Sequence, residues 1–250
     1  MNDYETLPRA PITEALIDIQ VGADAAISVD SLAAFGEEIA PSYPGRIVIN
    51  AFRAEFAVTS TGVQDVSRGS APQQLGFRFQ NADATQVVQA RTDGFAFSRL
   101  KPYSNWLEIY GEARKLWERY RAATGATSVS RLAVRYINKI ELPLPFADFR
   151  EYMLTIPEIA PGIPQGLAQF FMQLVVPFED IGAIAIVNQT IAAVERTTAT
   201  LPVIFDIEVN KVLSMESSSE ALWGHLDELR TAKNLIFFRS ITPKCLELFR

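Results

Sequence analysis

Asp206 and Glu208 lie two residues apart in the stretch FDIEVN, so in an extended chain their carboxylates share one face. Such a pair can do general acid–base work or hold a divalent cation, and it can equally be neutralised by facing arginines. His225, the only histidine, stands at helical spacing beside Leu222 and Leu226. It offers either a general base or a hydrogen-bonded imidazole on a helix surface. Cys245, the only cysteine, follows Pro243 near the terminus with no evident base, and reads as a packed thiol. One His and one Cys exclude internal disulfides and every site that needs two of either residue. The glycines of TGVQDVSRGSAPQQLG lack the spacing of a phosphate-cradling loop, and the stretch reads as a connection between strands. No catalytic residue, metal ligand or cofactor is assigned from these features.

The cations carry more information. Residues 68–139 hold twelve Lys or Arg against five Asp or Glu, a local +7 in a chain whose formal charge is −6, so the flanks sum to −13. Most of these cations are Arg, the side chain suited to bidentate recognition of carboxylate or phosphate. Two readings follow: a basic middle folded against acidic flanks, or an anion-binding surface. Nucleic acid is the weaker version of the second, because no RNP-like aromatic motif, zinc knuckle or glycine-rich phosphate loop accompanies the charge.

The elements that must position these groups are legible from periodicity. Period-2 alternation marks strands at residues 14–21, 74–80, 86–92, 94–100, 131–142, 167–176, 182–192 and 202–209, and a single strand through RIVINAFRAEFAVTS. Helical spacing marks residues 29–39, 104–123 and 218–233, with a short helix at 146–154. Ser28 or Asp30 caps the first helix and Ser104 the second, and Gly125 closes the second. The apolar C-terminal IFFRSITPKCLELF is expected to dock on the body.

This order predicts an α+β fold: antiparallel sheets with helices packed on one face. Each half reads strand, helix, several antiparallel strands, long helix. The predicted division is residues 1–125 and 126–250, each with a net charge of −3, as a duplicated unit or a compact pseudo-twofold domain. The sheet face left open by the helices would carry Arg53, Glu55, Arg78, Arg99, Arg131, Arg135, Lys139, Gln169, Gln173, Asp206 and Glu208. That face is either a solvated surface or a ligand or partner site.

The chain has 250 residues, 48% of them hydrophobic and 21% charged, which fits a globular protein with a sizeable core. No apolar run approaches the ~18 residues of a membrane span. The acidic, polar start MNDYETLPRAPITEA is unlike a secretory signal, so a cytoplasmic location without membrane contact is expected.

LPRAPITEALIDI, DGFAFSRLKPYSNWLEIYGEARKLWERY and SRLAVRYINKIELP together resemble an uncharacterised, sporadically distributed family of prokaryotic proteins of about this length. The FSRL-x-PY-x-x-W stretch followed by RYIN carries the resemblance, which weakens over residues 155–215. It implies an intact single-family protein and no particular activity. It directs attention to Arg99, Tyr103, Trp106, Arg135, Tyr136 and Asn138. Asn138 falls on the apolar face of its strand, where a buried amide needs partners; it ties the fold together or points into a pocket.

The expected ligand-binding set is Arg78, Arg99, Tyr103, Arg131, Arg135 and Asn138. The expected function is non-catalytic binding through a polar, Arg-rich sheet face. Its partner would be an anionic small molecule or an acidic protein segment, with a homodimer as an assembly. The alternatives are an enzyme acting on an anionic small substrate, and nucleic-acid binding through residues 68–139.

Overall fold

The computed structural model describes residues 4–23, 26–51, 56–59, 62–65, 73–192 and 199–250. Its centre is β1 (Ile12–Val21), whose Ala15, Ile17, Ile19 and Val21 alternate into the core. β1 pairs antiparallel with β7 (Gly94–Leu100) on one side and β8 (Ser128–Pro143) on the other. Helix α1 (Val29–Ile39) follows β1, capped by the Ser28 hydroxyl, which accepts from Ser31 N. Then come β2 (Gly45–Ala51), the separate hairpin β3 (Phe56–Thr59) and β4 (Gly62–Asp65), and the meander β5 (Gln73–Gln80), β6 (Gln86–Arg91) and β7. Helix α2 (Trp106–Thr124) ends the first half. In the second half, β9 (Phe171–Phe178), β10 (Ala183–Ile191) and β11 (Thr200–Glu216) return to β8. Helix α3 (Ala221–Ser240) and one turn, α4 (Pro243–Leu246), close the chain.

All but the β3–β4 hairpin belong to one antiparallel sheet of nine strands, ordered β2-β5-β6-β7-β1-β8-β11-β10-β9. The fold is therefore α+β, as predicted. The order of elements on the two sides of β1–β8 corresponds: a meander ends on the strand beside β1, and a second ends on the strand beside β8. The second half has a turn of 3-10 helix (Phe149–Glu151) and irregular chain where the first has α1 and β2.

Several boundaries differ from the predicted ones for local reasons. Asn105, not Ser104, caps α2; its side chain accepts from Glu108 N. Gly125, at φ 70°, closes that helix by donating to Arg121 O. The predicted helix at 146–154 is reduced to the 3-10 turn, held by an Asp148–Glu151 capping box. The predicted strand through RIVINAFRAEFAVTS is divided into β2 and β3, and the stretch read as a loop contributes β4. Arg53 and Glu55 lie outside the described residues. Helix α3 runs to Ser240 because Ile236 and Phe237 continue the apolar spacing into the C-terminal segment, which docks through Ile241, Cys245 and Phe249. At Gly94 the chain passes so close to β1 that a Cβ would sit 2.4 Å from Ile19 O, at φ 155°; only glycine fits.

The core lies between the helices and one sheet face. β1 gives it Ala15, Ile17 and Ile19, β7 gives Phe95 and Phe97, β8 gives Leu132, Val134 and Tyr136, and β11 gives Phe205, Ile207 and Val209. Among the described residues no helix is long and apolar enough to cross a membrane.

Candidate functional site

The open sheet face carries Arg78, Arg131, Arg135, Lys139, Gln173, Asp206 and Glu208, as the alternation predicted. Gln169 precedes β9 and is not part of it. Arg99 does not belong there either. It pairs with Ala15 and Gln86, whose side chains stand on the helix-covered face. The strand ends where that face meets the α2 corner, and the guanidinium bonds Pro102 O at 3.3 Å and Thr85 Oγ1 at 3.2 Å.

Most cations of the open face are already matched. Arg91 and Arg131 both reach Asp18, at 2.7 and 3.5 Å, and Arg131 also bonds Glu208. Arg135 holds Asp206 bidentately at 2.8 and 2.7 Å, and Asn188 adds a bond to the same carboxylate at 3.2 Å. Lys139 pairs with Glu141. On α2, Arg114, Lys115, Arg119 and Arg121 each meet a glutamate. The basic middle is thus largely folded against acids, the first of the two readings. The carboxylates of Asp206 and Glu208 hold these arginines, and among the described residues no group of three His, Cys, Asp or Glu could hold a metal ion.

The other single candidates are local. Cys245 is fully buried, and burial pushes its thiol up to about 12, far from a thiolate at neutral pH. His225 Nδ1 lies 3.0 Å from Glu228 Oε2 and 3.4 Å from Lys211 Nζ on the flank of α3.

A cavity of about 130 Å³ lies on the opposite face of the sheet, between the N-terminal segment, the β7–α2 corner, β8 and α3. It brings together Tyr103, Trp106 and Asn138, which belong to the most specific part of the sequence pattern, with Arg230, Lys233 and Asn234 of α3. It does not include Arg78, Arg99, Arg131 or Arg135.

Each wall has a local cause. Residues 4–11 run as a strap over the cavity. Tyr4 stacks on Phe238 at 4.5 Å, Arg9 N donates to Phe249 O at 3.0 Å, and Arg250 Nε donates to Glu5 Oε2 at 3.0 Å. Pro11 O accepts from Lys139 N at 2.8 Å, which fixes the strap to β8. At the corner, the Tyr103 ring meets the Tyr136 ring edge-on at 5.8 Å, with the two hydroxyls 3.4 Å apart. Burial raises both phenols above their ordinary value, so they remain protonated at neutral pH. Asn138 is buried; its amide nitrogen donates to Phe205 O at 2.9 Å on the neighbouring strand, so the residue both ties β8 to β11 and lines the cavity.

Lys233 is the exceptional group. It is only 7% exposed, and its Nζ sits 3.6 Å from the centroid of the Tyr136 ring. Among the described residues it has no carboxylate partner. Asp227 is committed to Trp106 Nε1 at 2.7 Å, and Glu5 is committed to Arg250. Burial, with the Arg230 charge one turn away, lowers the amine from 10.5 to about 7. Arg230 itself lies over the Trp106 ring at 5.6 Å.

Lys233 is absent from the predicted site because the sequence places it at the very end of a helix. One signal points to it nonetheless: Leu222, Leu226, Leu229, Lys233 and Phe237 keep a single helical stripe, which places a cation where a core residue belongs.

A separate groove of about 390 Å³ runs between β9, β10 and the C-terminal half of α3. Gln189 lines it, 1% exposed, with neither amide atom hydrogen-bonded among the described residues. β9, the sheet edge beside it, is FMQLVVPF: uncharged, with Phe171 69% and Val175 61% exposed.

No protein-family model matches the chain, and no curated protein is recognisably similar to it.

Proposed function

We propose that the protein binds a small carboxylate-bearing molecule in the cavity beneath its N-terminal strap. The observation that carries this reading is Lys233: a buried amine beside Arg230, on a cavity wall, with no carboxylate among the described residues to neutralise it. A buried charge without a partner costs stability, so such a pair of cations is kept where an anion arrives. The Tyr103 phenol and the amides of Asn138 and Asn234 supply polar groups to orient it. The anion site is thereby assigned to the helix side of the sheet, because Arg91, Arg131 and Arg135 of the open face are engaged by Asp18, Asp206 and Glu208. The motif of the sporadically distributed prokaryotic family supports the same place, since Tyr103 and Trp106 come from it. With that family we place the protein in the cytoplasm, as two like halves related about β1–β8.

Binding is expected to be linked to protonation. Arg230 of α3 acts on Lys233 through its charge, the Tyr136 ring of β8 lies against it, and Tyr103 and Glu5 line the same cavity. The Lys233 amine, lowered to about 7, changes charge near neutral pH. An anion prefers the ammonium, so affinity for lactate is expected to fall about tenfold per pH unit above about pH 7, with proton uptake on binding. Calorimetry in two buffers of different ionisation enthalpy reads both quantities. Arg230→Gln is expected to weaken binding by roughly 10- to 100-fold, the worth of one charge-assisted contact. An affinity independent of pH across this range overturns the reading.

A homodimer through β9 is the assembly we propose. An uncharged, exposed edge strand is the feature that soluble proteins ordinarily suppress. A second copy pairing with it about a twofold axis would cover the exposed apolar side chains of the strand. Light scattering is expected to give twice the chain mass, and Val175→Lys to give the monomer. A wild-type monomer at high concentration rejects it.

A further inference from the structure

We infer that Lys233 forms a reversible imine with a 2-oxo acid held in the same cavity, an inference that rests on the carboxylate-binding reading and names the ligand class. Its basis is what the two cations can each do. Arg230 is a permanent charge with a planar fork, and suits a carboxylate. Lys233 is different in kind, because its amine lies on the face of the Tyr136 ring, buried and without an acid among the described residues to hold its proton. Desolvation next to another cation is a known way for a protein to keep a lysine neutral and nucleophilic. A ligand that satisfies both groups carries a carboxylate and, one carbon away, an electrophilic carbonyl. The cavity of about 130 Å³ suits a molecule of a few heavy atoms.

The chemistry balances without an oxidant or a reductant. The Nζ lone pair adds to the carbonyl carbon while the carbonyl oxygen takes a proton, giving a carbinolamine. The nitrogen loses a proton, the hydroxyl leaves as water after protonation, a C=N bond replaces the C=O bond, and the iminium nitrogen then gives up its second proton. The net reaction is amine plus ketone to imine plus water. The Tyr103 and Tyr136 hydroxyls, 3.4 Å apart and both protonated, form a linked pair beside the reacting centre through which a proton can pass. The other lysines serve as internal controls. Lys115, Lys139, Lys211 and Lys244 are ion-paired, and Lys101 is exposed.

The experiment is borohydride trapping of the full chain with pyruvate, with lactate as the matched acid that lacks the carbonyl. The expected result is one reduced adduct per chain, mapped to Lys233 by peptide mass spectrometry and suppressed by excess lactate. Trapping is expected to fall to background in Lys233→Arg, whose melting curve reports whether it is folded. If lactate binds but pyruvate leaves no adduct on Lys233, or labels the exposed lysines equally in wild type and variant, the imine is wrong and the carboxylate site stands. If neither lactate nor pyruvate binds and no adduct forms, both readings fall.

Discussion

Lys233→Met is expected to stabilise the fold at neutral pH while abolishing carboxylate binding. In the unfolded chain the amine keeps its proton up to about 10.5, and in the folded chain only up to about 7. Between these values the unfolded state binds more protons, so stability rises with pH across that window. Below about pH 7 the full cost of burying the ammonium is present, and above about pH 10.5 it vanishes. At about 1.36 kcal/mol per pH unit the cost is on the order of 5 kcal/mol. Methionine keeps the apolar stem but gives up the contact with the Tyr136 ring, so the expected gain is about 2–4 kcal/mol near pH 6. The gain should shrink to nearly nothing by about pH 10. Urea unfolding at the two pH values checks both the sign and the slope. A destabilised Lys233→Met, or a gain that does not fade with pH, would show that the amine is not buried uncompensated. A group that costs stability in the empty protein and is required for binding is the signature of a site rather than of a core.

The largest loss of stability is expected from Trp117→Ala. Trp117 on α2 is completely buried, stacks on Tyr120 at 5.4 Å and packs against Phe95 of β7 at 5.9 Å. Its indole nitrogen donates to Ser217 O at 3.1 Å, at the end of β11. Ser217 in turn bonds Ala126 O through its hydroxyl at 2.7 Å and Thr127 O through its amide at 2.8 Å. One side chain thus joins the helix of the first half to the place where the strands of the second half begin and end. Truncation removes the packing, leaves a cavity and orphans a buried carbonyl, at a cost of about 3–5 kcal/mol. A fall in Tm of roughly 10 °C is expected for a chain of this size. Trp117→Phe, which keeps most of the volume and loses the donor, should cost about 1–2 kcal/mol. An alanine variant that melts with the wild type would refute the junction.

The elements were legible because each obeys a local rule. β1 alternates, α1 has Ser28 ahead of Leu32, Phe35 and Ile39, and α2 has its aromatic stripe and Gly125. These patterns required only the pleat of a strand, the pitch of a helix and the backbone freedom of glycine. The same alternation placed Arg131, Arg135, Asp206 and Glu208 on one face. Arg99 does not join them: alternation along its own strand, in step with Phe95 and Phe97, puts it on the helix-covered face, just before the chain turns through Lys101-Pro102 into α2. The charge excess of the middle was also visible, but its partners were not. Arg135 meets Asp206 across 71 positions of sequence, and Arg131 meets Asp18 across 113.

By itself, then, the sequence determined the α+β class, most of the strand faces, the three long helices and the exclusion of any site built on two histidines or two cysteines. Those follow from periods of two and 3.6 residues and from counting. Only the tertiary structure decided which cations have acids beside them and which do not. It set Arg131 and Arg135 of the open face against acids of neighbouring strands, and it laid the strap of residues 4–11 over α3, bringing Glu5 to Arg250 and Tyr4 to Phe238. On the wall of the cavity beneath it, the Lys233 amine lies against Tyr136 with no carboxylate partner among the described residues. A lysine's charge is written in the sequence; whether it has a partner is a property of everything packed around it.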